Sequence, residues 1–351
     1  MKQFVRSPHY KVRGYFMRSA KIFLALIISL FLLVLLTFFY QNIMQGLDHR
    51  TYQPEGRMID VGGYRLHLYC TGQGTPTIVL ESGLGGPAMQ WWLVQQELSQ
   101  TNQVCSYDRA GLGWSDFGPL PRTTQQMVSE LHLLLQNAGI AGPYVLVGHS
   151  LGGFTVRLYA AQFPGETAGI VLVAAGSEND DAEMPPEYQK IDQANLQTDH
   201  LLSILARFGV TRIAGNLGLL SSFTGLLSKF PEKQRSEMIS LTFDRASYWS
   251  TAYQELLSID QDKSEVAASG SLGNLPLVVL SGSPDVSRLP ASFPVMQIKN
   301  TFETLQNELA NLSTNSIHIV CETCDHYIPM TDPEEVVYAV RKELVKVENK
   351  P

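Results

Sequence analysis

The chain has 351 residues, 44% hydrophobic and 17% charged, which is ample for one large domain with a sizeable core. Its net charge is −7 and unevenly spread. Residues 1–21 hold six basic side chains and no acid, which leaves 20 basic against 33 acidic groups, a net −13, for the remainder; an acidic body of this kind excludes nucleic acid as the expected partner.

Residues 22–40, IFLALIISLFLLVLLTFFY, carry no charge and are long enough to cross a hydrocarbon core as a helix. With residues 1–21 as a basic cytoplasmic tail, this run reads as a signal anchor that places the main domain outside the cytoplasm. A cleaved signal peptide is the rival reading, but YQNIMQGLDHR shows no small-x-small cleavage site. Residues 41–56 read as a linker. Arg57–Val61 and Tyr64–Thr71 then flank Gly62-Gly63 as a hairpin. Thr77–Glu81 is an apolar strand followed by the glycine-rich ESGLGGP. A helix is expected over Gln90–Gln100, a strand over Val104–Tyr107 and a Thr-capped amphipathic helix over Thr123–Ala138. Strand 144–147, helix 153–163 and strand Gly169–Ala174 continue the alternation. It breaks at Gly176: residues 177–273 contain no convincing buried strand, only helical segments near 187–208, 231–240 and 246–259. It resumes with strand 275–282, helix 301–312, strand 316–321 and helix 333–347. Such alternation implies an α/β fold with a mostly parallel sheet and flanking helices, its core formed by 57–176 and 274–349. The greasy 177–273 insert is expected to cap an active site.

Gly148-His149-Ser150-Leu151-Gly152 is a G-x-S-x-G pattern between a strand and a helix. That context exposes the middle serine on a strained turn at the positive end of the helix, as a nucleophile requires. A serine hydroxyl needs a base, and the base needs a carboxylate to hold it. Of the eight histidines, His326 sits in a loop just past the last strand, at the sheet edge where open α/β sheets build their sites. His318 lies inside a strand and His149 beside the serine, so neither suits the role. The acid is expected at Asp285, in a turn after strand 275–282. Glu178, Asp180 and Asp181, after strand 169–174, are the competing set. Leu151 and Leu84 N–H groups are the expected oxyanion donors. In YDRAGLGWSD, Asp108 and Arg109 are expected to pair and Trp114 to line the pocket, while Trp91-Trp92 reads as packing. Cys70, Cys105, Cys321 and Cys324 fit an exported domain with one or two disulfides. Cys321 and Cys324 lack the further ligands that zinc would want, so no metal is expected.

Together the G-x-S-x-G elbow, YDRAGLGWSD, the Ser–Asp–His order and the cap insert resemble the α/β-hydrolase superfamily over roughly residues 57–349. The chain is similar to its capped branch of esterases, lipases, epoxide hydrolases and haloalkane dehalogenases. The last two place Asp at the nucleophile, where this chain has Ser150. Many members carry His-Gly in the oxyanion loop, where this chain has Ser82-Gly83. The resemblance implies a Ser150–His326–Asp285 triad, no cofactor and a small, apolar ester substrate. An amide, peptide or C–C bond hydrolase with the same triad, or a catalytically silent binding domain, are the competing readings.

Overall fold

The computed structural model describes residues 9–219, 225–284, 286, 289 and 292–349. Eight strands form one sheet: β1 (Arg57–Asp60), β2 (Arg65–Thr71), β3 (Thr77–Glu81), β4 (Val104–Tyr107), β5 (Tyr144–His149), β6 (Thr167–Val173), β7 (Leu277–Ser281) and β8 (Ser316–Val320). Their order is β1-β2-β4-β3-β5-β6-β7-β8. β1–β2 and β2–β4 pair antiparallel and every other neighbour is parallel.

The central strands β3, β5, β6 and β7 are buried along their whole length, so they read as continuous apolar runs rather than as alternating ones. Successive side chains still point to opposite faces, and each face has its own helical layer. On one face Val79, Leu146 and Leu172 meet Met127, Leu131 and Val156 of α3 (Thr124–Ala138) and α4 (Gly152–Gln162). On the other, Ile78, Leu80, Val145 and Val147 meet Val94 and Leu98 of α2 (Trp92–Leu98) and Val336 and Val340 of the last helix, Pro333–Glu348. Thr123 caps α3 as expected, its side chain accepting from Gln126 N–H. The chain leaves β3 for β4 on one side and returns to β5 on the other. The sheet therefore has its switch point beyond the C-terminal ends of β3 and β5, where α/β sheets open a crevice.

Between β6 and β7 run α5 (Asp180–Glu183), α6 (Pro186–Leu205), α7 (Val210–Asn216), α8 (Glu232–Leu241), α9 (Ala246–Leu257) and α10 (Ile259–Ala267). After β7, α11 spans Val295–Ala310, so it begins six residues before the expected 301, directly after Pro294. Short α12 (Ile328–Thr331) precedes the final helix α13 (Pro333–Glu348).

The N-terminal region departs from its expected division. One helix, α1, runs from His9 to Thr51 through both the apolar run and most of the expected linker. Gly46 costs a helix only about 1 kcal/mol, and the first residue that stops it is Pro54. Tertiary contacts offset that cost: Gln41 donates to Asp244 O at 2.6 Å, and buried Arg212 of α7 reaches Asp48 at 2.5 Å. The four cysteines form two disulfides, a pairing the sequence left open: Cys70–Cys105, across the β2–β4 register, and Cys321–Cys324.

Candidate active site

Ser150 directly follows β5 and begins the turn into α4. Its φ of 51° is a left-handed conformation that non-glycine residues rarely adopt. Surrounding contacts hold it there. Ser150 N–H donates to Val173 O at 3.1 Å, and Ser150 O accepts from Gly153 N–H at 2.9 Å. The flanking glycines follow from space: a Cβ on Gly148 would lie 2.5 Å from Gly152 O, and one on Gly152 would lie 2.6 Å from Glu81 O. Only hydrogen fits at either position, so the tight turn requires both glycines.

His326 lies in the loop between β8 and α12. Its Nε2 is 3.0 Å from Ser150 Oγ, so the two residues 176 apart in sequence form one hydrogen-bonded pair. Burial lowers the ring's pKa below its usual 6.5; Asp325 nearby raises it, and the lowering prevails. The Asp325 side chain turns away to accept from Tyr327 N–H at 2.7 Å and Thr331 Oγ1–H at 3.1 Å. His149 points down beside the pair. Burial and then His326 push its pKa down to about 3, so it is neutral. It donates from Nε2 to His326 O at 2.8 Å and accepts at Nδ1 from the Gln90 amide at 2.9 Å. This fixes the backbone of His326, a role that sequence reading did not assign to His149 or Gln90.

Asp285 lies outside the described residues. The chain leading to it is well placed: Ser283 N–H donates to Cys324 O at 2.8 Å, and a Cβ on Gly282 would meet Asp325 O at 2.6 Å. Among the described residues no carboxylate meets His326 Nδ1. The competing acids are engaged elsewhere. Glu178 receives both Nη atoms of buried Arg157 at 2.7 Å each, and Asp180 accepts from Ser177 N–H at 3.3 Å.

The loop after β3 lies directly against the serine: a Cβ on Gly83 would sit 2.8 Å from His149 Nδ1 and 3.2 Å from Ser150 Cβ. A buried cluster holds this loop. Arg109 donates to Ser82 O at 2.6 Å and Gly83 O at 2.7 Å, while Glu255 of α9 accepts from Gly85 N–H at 2.8 Å. In a trans peptide the N–H points opposite to the C=O. Binding of Gly83 O to Arg109 therefore turns Leu84 N–H away from Arg109. Gly85 N–H is consumed by Glu255. Leu84 N–H and, at the start of α4, Leu151 N–H have no acceptor among the described residues.

Arg109 does not pair with Asp108. It is fully buried between Glu81 at 2.7 Å and Glu255 at 2.7 Å, and Tyr107 OH also donates to Glu81. Neighbouring residues leaving a strand point to opposite sides, so Asp108 binds His67 at 2.8 Å instead, and accepts from Trp114 N–H at 3.0 Å. That folds Trp114 away from Ser150. The indole lines a smaller cavity of about 50 Å³ with His67, Asp108 and Glu237, and lies 5.0 Å under the Arg245 guanidinium. The expectation that Trp114 lines the pocket at the serine is thus corrected.

The cavity at Ser150 is about 340 Å³. One wall is the 83–87 loop, His149, His326, Tyr327 and Met330. The other comes from the helices between β6 and β7: Met238, Thr242, Phe243 and Tyr248. A serine hydroxyl hydrogen-bonded to an imidazole, two N–H groups without an acceptor among the described residues and a largely apolar cavity are the parts that acyl transfer from a carbonyl compound requires.

The sequence profile described as alpha/beta hydrolase fold matches residues 76–333. An AB hydrolase superfamily protein of Gibberella zeae is 26% identical over 293 residues, which is 76% of this chain and 85% of that protein. The chain spans only 20% and 58% of the lengths of two other curated relatives it matches. The lipase-like Lip1 of Acinetobacter baumannii AYE superposes with a TM-score of 0.64 at 21% identity, covering 88% of this chain and 96% of that one. A thermophilic esterase of Thermogutta terrifontis superposes at 0.58 with 23% identity, covering 83% and 98%. At these identities the likeness to solved structures is one of fold.

Proposed function

Because the chain belongs to the α/β-hydrolase family, we propose that it is a membrane-anchored serine hydrolase that cleaves carboxylic esters through an acyl-enzyme. The observation that carries this reading is Ser150 Oγ, held on a strained elbow 3.0 Å from His326 Nε2. Ser150 Oγ attacks the ester carbonyl and His326 Nε2 takes its proton. The oxygen that gains charge is received by Leu84 and Leu151 N–H. The tetrahedral species collapses, His326 protonates the departing alkoxide, and the acyl group stays on Ser150. Water then attacks with His326 as base again, and the carboxylic acid leaves. Asp285 orients the imidazole through Nδ1, which no described carboxylate meets. Leu84, Met238, Phe243 and Met330 around the cavity support an apolar acyl group. Hydrolysis of a p-nitrophenyl ester chain-length series against aminoacyl p-nitroanilides tests the substrate class. Turnover of esters that is lost in Ser150→Ala supports the reading; turnover of amides alone overturns it.

The apolar stretch of α1 is exposed, with a mean hydropathy of 3.1, and supports the anchor. Gln41 and Asp48, just past that stretch, bind Asp244 and Arg212 of the folded body, which favours a helix retained with the domain over a cleaved leader. The basic residues 1–21 support a cytoplasmic N-terminus, and the two disulfides support an extracytoplasmic catalytic domain.

A further inference from the structure

The helices over the cavity carry an apolar surface that the ester chemistry does not use. Leu201 and Ile204 at the end of α6 are 55% and 44% exposed. Val210 and Ile213 on α7 and Leu217 at its C-cap, at helical spacing, are 41%, 41% and 70% exposed, and Leu219 is 72% exposed. The opposite face of α7, with Thr211 and Arg212, is buried. Residues 201–219 contain no acid, although the body beyond residue 21 carries 33 acidic side chains. Their only charges are Arg207 and the buried Arg212.

The position of this surface along α1 decides what it faces. Residues 22–40 span roughly 29 Å at 1.5 Å per residue, the thickness of a hydrocarbon core. The segment docks where that run ends. The Phe38 and Phe208 rings are 6.3 Å apart, and a Cβ on Gly209 would lie 3.1 Å from Gln41 Oε1 and 3.5 Å from Tyr40 Cδ1. Arg212 ties the joint by donating to Gln41 at 3.2 Å and Asp48 at 2.5 Å, with Asp244 at 3.1 Å. A bilayer crossed by residues 22–40 therefore ends at the level of α7. Behind the exposed stripe, Leu202 and Ala206 pack on Phe243 and Tyr248, and these two line the catalytic cavity. This one packed cluster lies between the cavity and the outer apolar surface.

We propose that residues 201–219 form a membrane seat: Leu201, Ile204, Val210, Ile213, Leu217 and Leu219 enter the surface of the bilayer that α1 spans. The cap wall then rests on lipid, and the substrate is an ester dissolved in that bilayer rather than one free in water. The inference rests on the anchor and ester readings above.

The test uses the full-length, disulfide-bonded protein in phosphatidylcholine vesicles containing a minority of phosphatidylglycerol. An environment-sensitive NBD label is placed at Ile213→Cys, Leu217→Cys, Leu30→Cys and, as an exposed polar control on α11, Glu303→Cys. Blue-shifted emission and quenching by doxyl lipids at 213, 217 and 30, but not at 303, supports the seat. Lipid quenching at 30 with aqueous emission at 213 and 217 overturns the seat and leaves the anchor intact. Aqueous emission at 30, with protein that does not float with vesicles, refutes the anchor itself. Shielding at 213 and 217 that ignores doxyl lipid and grows with protein concentration assigns the face to a second copy and overturns the proposal. The double variant Ile213→Glu/Leu217→Glu should lose roughly tenfold or more in hydrolysis of a vesicle-dissolved long-chain ester, given the cost of exposing two seated apolar side chains. Its turnover of water-soluble p-nitrophenyl acetate should stay within about twofold, since neither residue touches the cavity. An equal loss on both substrates would contradict the seat.

Discussion

Replacing Glu255 by Gln tests whether the buried cluster aims the loop proposed to hold the oxyanion. Glu255 accepts three bonds: from Arg109 Nε at 2.7 Å, Arg109 Nη2 at 2.9 Å and Gly85 N–H at 2.8 Å. A glutamine has one carbonyl oxygen. Whichever way it turns, its NH2 faces at least one donor it cannot satisfy. Two charge-assisted bonds at about 1.5–3 kcal/mol each are at stake, with Glu81 still holding Arg109, so a loss of about 3 kcal/mol of stability is expected. That corresponds to a fall in Tm of roughly 6–12 °C for a domain of this size. Catalysis should suffer separately. Deleting an oxyanion donor outright costs about 10²–10³ in kcat, so misaiming Leu84 N–H should cost about 10–100-fold, with KM changed less than about threefold. The assay is steady-state hydrolysis of p-nitrophenyl butyrate beside the phosphonylation rate of Ser150, both measured well below the variant's Tm. Tyr107→Phe is the control, because it strips a bond from Glu81 in the same cluster without touching the loop. If Glu255→Gln loses stability but keeps kcat, as the control should, the cluster is merely structural and the reasoning fails.

Asp285→Asn should lower kcat by about 10⁴-fold, as tautomer-disrupting changes of the triad acid do; a crippled Glu178→Gln with an active Asp285→Asn would reassign the acid. In the proposed mechanism His326 must be neutral to take the Ser150 proton, and burial lowers its pKa, so kcat/KM should rise with pH along a limb centred below 6.5; a limb centred above 7 would contradict that environment. Glu343 is buried against Ile170 N–H at 3.1 Å, and burial raises its pKa to about 8. Its raised folded pKa means that its contribution is complete below the usual carboxylate range and is lost as pH rises towards 8. Stability should therefore fall by up to about 1.4 kcal/mol per pH unit across that window, and Glu343→Gln should remove the slope in urea melts at pH 5 and pH 8; a wild-type stability flat across the window would count against a buried, protonated Glu343.

The parts of this molecule written in local pattern were legible. The buried strands, the G-x-S-x-G turn and the loop carrying His326 each announce themselves within about ten residues. The parts written in long-range contacts were not. Glu255 lies three residues after Ala252 and six after Trp249, on the buried side of α9, so a carboxylate on an apolar face was the available sign of a buried partner. Its partner Arg109 is 146 residues away, and the adjacent Asp108 offered a simpler, incorrect match. Gln90 and His149 received no role from the sequence because their bonds support a backbone carbonyl that only the fold brings near. The end of α1 was misplaced because hydropathy stops at Tyr40, whereas the helix continues on the strength of Gln41 and Asp48 meeting Arg212.

The most direct test of the central claim is fluorophosphonate labelling of the purified, folded protein, with the modified peptide mapped by mass spectrometry. The account predicts one adduct, on Ser150, absent from Ser150→Ala and slowed by orders of magnitude in His326→Ala. An unlabelled Ser150 in folded wild type, or labelling that survives its removal, would contradict it.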